Sequence, residues 1–370
     1  PLYTAKISAA SGGYGVITGY GVMDGRMVYV YSQDASVLGG SVGEMHAKKI
    51  VALYDLAMKT GAPVIGMIDC AGIRLQEASD ALEAFGNIFA KQGQASGKIV
   101  QISAVFGNCG GGLAVVPGLT DFTFMEAKDG KLFVNSPNAL EGNEISKCDT
   151  SAAAFQSEET GIVDMVADEA SILAQIRQLV AVLPANNAEI ALDDCTDDLN
   201  RACTDIANCV GDTSVALSRI ADDGVFVEVK QNYAKSMVVG FMKLNGATVG
   251  AVANRTEVYN AEGEVTDKFD AALTARGAEK AAEFINFCDA FDIPVLSLTN
   301  VTGFAATKCS EKRMAKAASK LTYAFANATV PKVNVIIGKA YGSAYVAMNS
   351  KAIGADITIA WPDAEIGMMD

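Results

Sequence analysis

Apolar and polar positions change period repeatedly along the first half of the chain. Val28-Tyr29-Val30-Tyr31 is a short β-rich run, and residues 44–60 then place Ile50, Leu53, Tyr54 and Ala57 at the spacing of one helix face. Lys59-Thr60-Gly61-Ala62-Pro63 supplies the glycine and following proline that stop a helix. Residues 64–68 form a continuous apolar run, as expected of a strand buried on both faces. The order recurs with a helical stretch at residues 81–95, a strand at 99–106, and glycines that open another apolar segment. This alternation predicts an α/β fold. Residues 170–183 read as a further helix, stopped at Leu183-Pro184-Ala185-Asn186-Asn187 and followed by the acidic, polar residues 193–198. We place the domain boundary in this stretch, with a first domain over residues 1–187 and a second over 188–370.

The second half echoes the first. Thr18-Gly19-Tyr20-Gly21-Val22-Met23-Asp24-Gly25 matches Val239-Gly240-Phe241-Met242-Lys243-Leu244-Asn245-Gly246 at an offset of 221. Gly61-Ala62-Pro63-Val64-Ile65 matches Asp292-Ile293-Pro294-Val295-Leu296, and Ala71-Gly72 matches Thr302-Gly303, both at 231. At the same offset Gly107-Asn108-Cys109-Gly110-Gly111-Gly112 falls on Gly338-Lys339-Ala340-Tyr341-Gly342-Ser343. Two copies of one fold are expected. The chain starts at Pro1 and stops at Asp370 after an apolar run, so the second copy is expected to be cut short and the sequence to be a fragment.

Composition narrows the chemistry. With 370 residues at about 150 per domain, the chain can bury two large cores. No stretch reaches the roughly 18 uninterrupted apolar residues of a membrane span. A formal charge of −14 makes nucleic acid a poor partner, so an anionic ligand must be held by local dipoles. Eight cysteines without a CxxC pair predict reduced thiols in a cytoplasmic protein and no metal site. One histidine, His46, leaves no room for a histidine cluster or relay. It sits early in the 44–60 helix without a GxSxG nucleophile motif, and we read it as structural. Lys48, Lys49 and Arg74 could meet a phosphate but read more readily as solvated faces, and Trp361 reads as a packing anchor.

Each copy carries two glycine-containing turns at strand ends. They are Asp69-Cys70-Ala71-Gly72-Ile73 and Cys109-Gly110-Gly111-Gly112 in the first, and Val301-Thr302-Gly303-Phe304 and Tyr341-Gly342-Ser343-Ala344 in the second. Glycine after a strand lets backbone N–H groups point into a cleft, and at a helix start those donors are unpaired within a positive dipole. Two such turns per copy can form an oxyanion hole. The same glycines also serve tight turns and close packing. A dinucleotide site is the weaker reading, because GxxGGG is not GxGxxG.

With the repeat and these turns in view, the sequence resembles the biotin-dependent carboxyltransferase family, which includes acyl-CoA carboxylase β subunits and the related subunits of methylmalonyl-CoA and glutaconyl-CoA decarboxylases. The similar stretches include Leu38-Gly39-Gly40-Ser41-Val42-Gly43-Glu44, Leu119-Thr120-Asp121-Phe122, Phe287-Cys288-Asp289-Ala290-Phe291-Asp292-Ile293-Pro294 and Lys339-Ala340-Tyr341-Gly342, and they run end to end. The resemblance implies two tandem crotonase-like ββα superhelix domains, the first on the acyl-CoA side and the second on the biotin side. It implies catalytic roles for Gly111 and Gly112, donating to a thioester oxygen, and for Gly342, Ser343 and Ala344 at the ureido oxygen of biotin. Ligand-binding roles follow for Gly39, Gly40, Ser41, Ala71, Gly72, Ile73 and Arg74, and for Gly303, Phe304 and Val346. Implied partners are an acyl-CoA, a biotin carboxyl carrier protein, a biotin carboxylase or a membrane decarboxylase subunit, and further copies of the chain in a hexamer built as a trimer of dimers, whose active sites lie between an N domain of one subunit and a C domain of another. The substrate pair supplies the base: the biotin anion left by CO₂ release removes the acyl α-proton.

The sequence departs from the family pattern at four points. The DSGGAR-like loop is Asp69-Cys70-Ala71-Gly72-Ile73-Arg74, a Gly-Gly-Ala is Gly342-Ser343-Ala344, the acidic residue after the tyrosine is Val346, and a VPGFLPG-like turn is residues 301–307. The alternatives are the same chemistry in the decarboxylase direction within a sodium pump, a crotonase-type hydratase or isomerase, and a non-catalytic assembly subunit.

Overall fold

A computed structural model describes residues 14–369. Pro1 and Asp370, where the expected domains begin and end, lie outside the described residues. The chain divides into two compact units, Pro1–Glu189 and Ile190–Asp370.

In the first unit, β1 (Val16–Met23) and β2 (Arg26–Gln33) form an antiparallel hairpin. Asp24 and Gly25 turn it with φ of 50° and 85°, the left-handed pair that a two-residue hairpin loop needs. Helix α1 (Glu44–Thr60) buries Ile50, Leu53, Tyr54 and Ala57 and ends at Gly61, whose φ of 66° forms the left-handed cap. Then come β3 (Val64–Cys70), α2 (Ala78–Ala95), β4 (Gln101–Gly110), α3 (Val115–Leu119), β5 (Phe122–Glu126), β6 (Lys131–Phe133), the short α4 (Ala153–Phe155), β7 (Met165–Ala167) and α5 (Glu169–Val182). The side chain of Asp168 starts α5 by accepting from the Ser171 N–H. The sheet runs β1-β2-β3-β4-β5-β7, with β6 beside the end of β4, and is parallel from β2 onward. Its central strands are buried on both faces, which is why they read as unbroken apolar runs.

The second unit opens with α6 (Thr213–Ile220) and β8 (Phe226–Val229), followed by the hairpin of β9 (Met237–Leu244) and β10 (Ala247–Asn254), turned by Asn245 and Gly246 with φ of 52° and 76°. A small ladder of β11 (Glu257–Tyr259) and β12 (Val265–Lys268) precedes β13 (Ala272–Leu273), α7 (Ala275–Ala290), β14 (Val295–Val301), β15 (Gly303–Phe304), α8 (Lys308–Asn327), β16 (Lys332–Tyr341), α9 (Gly342–Ala347), β17 (Ile357–Ala360) and β18 (Glu365–Gly367). Its sheet runs β8-β9-β10-β14-β16-β17, with β18 beside the end of β16.

The duplication extends to hydrogen-bond register. Val64 pairs with Gln101 and Cys70 with Cys109; Val295 pairs with Lys332 and Val301 with Ala340, each shifted by 231 and each with an irregularity just before the last pair. Ile73 bridges Val42 as Phe304 bridges Leu273, again 231 apart. Each unit has its own apolar core, and Trp361 packs on that of the second. No helix among the described residues is long and apolar enough to cross a membrane.

Candidate active site

The first unit builds its site where β3 and β4 end. Past Cys70 the chain turns through Ala71, Gly72 and Ile73, and this turn is laced to residues 39–42. The Ala71 N–H donates to Gly39 O at 2.8 Å, the Val42 N–H to Gly72 O at 2.9 Å, and the Arg74 N–H to Val42 O at 2.8 Å. Gly72 has a φ of 105°. At the end of β4, Gly111 takes a φ of 65° and opens a 3₁₀ turn, Gly111–Ala114. The first N–H groups of such a turn, here those of Gly111 and Gly112, have no acceptor within it. A Cβ on either glycine would meet nothing within 4 Å.

Both turns line one cavity of about 430 Å³. Ala71, Gly72, Ile73, Gly110, Gly111 and Gly112 give it a backbone side, while Leu82, Phe85 and Phe133 give it an apolar one. Phe133 approaches because Gly110 has no side chain: a Cβ there would stand 2.7 Å from the ring. Two thiols lie under the turns. Cys70 is pushed up to about 11 by burial, and burial raises Cys109 further, so neither is a thiolate nucleophile at neutral pH.

Gly39, Gly40, Ser41 and Arg74 are not among the residues that line this cavity. Arg74 is buried and its guanidinium turns inward, donating to Ser41 O at 2.8 Å and to Glu77 Oε1 at 3.0 Å. Gly40 and Ser41 are also buried, and Gly40 packs so closely that a Cβ would stand 2.3 Å from Asp69 O. Residues 39–41 and Arg74 thus hold the 71–73 turn from behind, with the guanidinium engaged by carbonyl and carboxylate oxygens. Lys49 is not fully solvated as expected, because its ammonium reaches Val16 O. Leu82, Phe85 and Phe133 were not read from the sequence, since only the folded chain brings them to the glycine turns.

His46 is buried, with Nδ1 3.0 Å from Tyr14 O and Nε2 3.3 Å from Gln33 Nε2. This arrangement fits a neutral ring that donates from Nδ1 and accepts at Nε2. Burial is the main cause that holds its pKa down to about 4, with Arg74 and Lys49 adding to the effect against the Tyr14 carbonyl. The unfolded ring titrates near 6.5, so between pH 6.5 and 4 the unfolded chain binds a proton that the native chain refuses. Stability must therefore fall as pH drops through that window. Relative to His46→Gln, the natural chain is expected to lose about 3 kcal/mol between pH 6.5 and 4 in urea unfolding; parallel pH profiles for the two chains would contradict this.

The second unit repeats the design. Tyr341 caps α9, and Gly342 opens it with a φ of 60°. Ser343 and Val346 are exposed and Ala344 is buried. Gly303 and Phe304 form β15 against β13, packed beside α9, so the turn that follows β14 meets the turn that follows β16 as in the first unit. The Thr302 N–H donates to Ala271 O and the Ala305 N–H to Leu273 O, which matches the lacing of residues 71–74. Among the described residues no group of three or more His, Cys, Asp or Glu side chains is placed to hold a metal ion.

A family model described as carboxyl transferase domain matches residues 4–370. The chain belongs to this family. Methylmalonyl-CoA decarboxylase subunit alpha of Propionigenium modestum is 39% identical over 367 residues, covering 96% of this chain and 69% of that protein. Propionyl-CoA carboxylase beta chain of Roseobacter denitrificans is 40% identical over 370 residues, covering 96% and 71%. Among solved structures, transcarboxylase 12S, a hexamer with hydrolysed methylmalonyl-CoA bound, superposes with a TM-score of 0.87 at 35% identity, covering 96% of this chain and 71% of that one. The mixed α/β fold is thus that of a carboxyl transferase, an enzyme with relatives named as acyl-CoA carboxylase and decarboxylase components.

Proposed function

We propose that the chain moves a carboxyl group between carboxybiotin, presented by a separate carrier protein, and the α-carbon of a short acyl-CoA. The observation that carries this reading is that Gly111 and Gly112, the first two residues of a 3₁₀ turn, line a largely apolar cavity of about 430 Å³. A thioester oxygen there accepts from both, and each bond strengthens as that oxygen becomes an enolate oxygen, so the donors favour the transition state over the bound substrate. Leu82, Phe85 and Phe133 exclude water from the acyl chain, which strengthens those bonds. In the second unit, the N–H groups of Ser343 and Ala344 at the start of α9 fit the ureido oxygen of biotin, with Phe304 and Val346 beside them. Biotin supplies the CO₂ and, once that has left, the base that takes the α-proton. In keeping with this, the chain's only histidine is buried, neutral and already bonded on both ring nitrogens.

The reading extends to two crotonase-like ββα domains, residues 1–187 and 188–370, to a cytoplasmic location, and to a homo-oligomer, hexameric as in transcarboxylase 12S. Its test is carboxyl exchange between biotin and propionyl-, methylmalonyl-, malonyl-, acetyl- and glutaconyl-CoA, with the carboxylated and decarboxylated thioesters offered separately to reveal direction. Exchange with at least one short acyl-CoA is expected, and none with any of them would defeat the proposal. His46→Ala is expected to leave turnover within a few fold; a thousandfold loss would mean that a side-chain acid or base operates after all.

A further inference from the structure

Asp69 and Asn300 are 231 residues apart, and each occupies the irregular step of its parallel ladder. Between the pairs Ile68–Val105 and Cys70–Cys109, one residue of β3 faces three of β4; between Thr299–Ile336 and Val301–Ala340, one residue of β14 faces three of β16. A bulge of this kind leaves backbone donors without a carbonyl on the neighbouring strand. In the first unit the carboxylate of Asp69 takes the place of that carbonyl, accepting from the Asn108 N–H at 3.1 Å. In the second the amide oxygen of Asn300 accepts from the Lys339 N–H at 3.0 Å. Both side chains lie over a glycine. A Cβ on Gly107 would stand 2.2 Å from Asp69 Oδ1, and one on Gly338 would stand 2.7 Å from Asn300 Oδ1.

We infer that Asp69 and Asn300 are duplicated positioning residues that fix the two turns on which the proposed carboxyl transfer depends. The bonded N–H groups lie three residues before the residues that open those turns, Gly111 and Gly342. A side-chain oxygen replacing a strand carbonyl therefore locks the bulge, and the bulge sets where the donors point. This deepens the proposed function and rests on it for its consequence in turnover, while the geometric claim stands on the ladders alone. The two copies solve the same problem with a carboxylate and with an amide, so the shared requirement is an acceptor oxygen of that reach and not a charge.

The test combines local hydrogen exchange with kinetics on the full chain and the carrier. Asp69→Ala is expected to speed amide exchange in residues 107–114 at least tenfold while α5, in the same unit, is unchanged. Its kcat should fall at least tenfold with less than a threefold change in KM for the acyl-CoA. Asp69→Asn, which restores the acceptor, is expected to return both readouts to within about threefold of the natural chain. Asn300→Ala should loosen residues 338–344 in the same way, with Asn300→Asp as its rescue. Unchanged exchange in residues 107–114, equal loosening of α5, or an asparagine as damaging as alanine at position 69 would overturn the inference. If the natural chain transfers no carboxyl group, the proposed function fails, and the exchange data still decide whether Asp69 holds the turn.

Discussion

Replacing Gly112 by proline is expected to lower kcat for carboxyl transfer by about 10²–10³-fold, the loss of one oxyanion donor, or about 3–4 kcal/mol of transition-state stabilisation. Residue 112 is the second residue of the 3₁₀ turn, where the N–H has no acceptor within the turn, so proline removes the donor without removing a hydrogen bond of the turn. The preceding Gly111 lacks the Cβ with which a proline ring ordinarily clashes. Gly112→Ala is the matched control. It keeps the N–H, and its methyl group meets nothing within 4 Å, so it should retain most activity. Both variants should assemble and unfold like the natural chain. If proline and alanine prove equally active, the Gly112 N–H does not hold the developing oxyanion; if alanine is as inactive as proline, the lost activity reflects shape and not the donor.

The backbone features of this site could be read from the sequence more readily than the side chains around it. Parallel strands buried on both faces produce runs such as Val64-Ile65-Gly66-Met67-Ile68, and glycines directly after such runs mark turns whose amides are exposed. The duplication was equally plain, because turns that need left-handed residues, Asp24-Gly25 and Asn245-Gly246, tolerate few substitutes. Side-chain direction was not accessible in the same way. Arg74 lies next to cavity-lining Ile73, yet its guanidinium points toward Ser41 and Glu77, because the bridge between Val42 and Ile73 brings residues 39–42 behind the turn. Asp69 directly follows the apolar run of β3 and stands three residues before Gly72, so nothing local marks its role. Its bond to the Asn108 N–H exists only because the β3–β4 ladder slips there, and a slip between strands separated by a helix leaves no local periodic signal. The apolar wall made by Phe133 depends in the same way on β6 pairing with the end of β4.

Lys280 is the clearest case of a residue whose neighbourhood in sequence conceals its surroundings, and it carries the largest stability effect we expect. It lies on α7 among alanines, only 1% exposed, and its ammonium donates to Lys230 O and Tyr233 O at 2.8 Å and to Met237 O at 2.6 Å. These carbonyls belong to the segment that leads into β9, where Lys230 and Ala234 have φ of 51° and 44°. Such left-handed positions are costly for residues with a side chain and persist where the surroundings hold them. The ammonium gathers three carbonyls, of which that of Lys230 also accepts from the Tyr233 N–H at 3.1 Å, and so fixes the entry to the hairpin on which the second sheet is built. Lys280→Met keeps much of the aliphatic stem but takes the shared charged donor away from these acceptors, with an expected loss of about 3–5 kcal/mol. Trp361, the only tryptophan, packs on the core of the second unit, so its fluorescence reports that unit's unfolding. With a slope of about 2 kcal/mol per molar urea, the transition should move down by roughly 1.5–2.5 M. A shift below about 0.3 M would mean that the segment holds its left-handed turns without the ammonium, and that the buried lysine contributes packing alone.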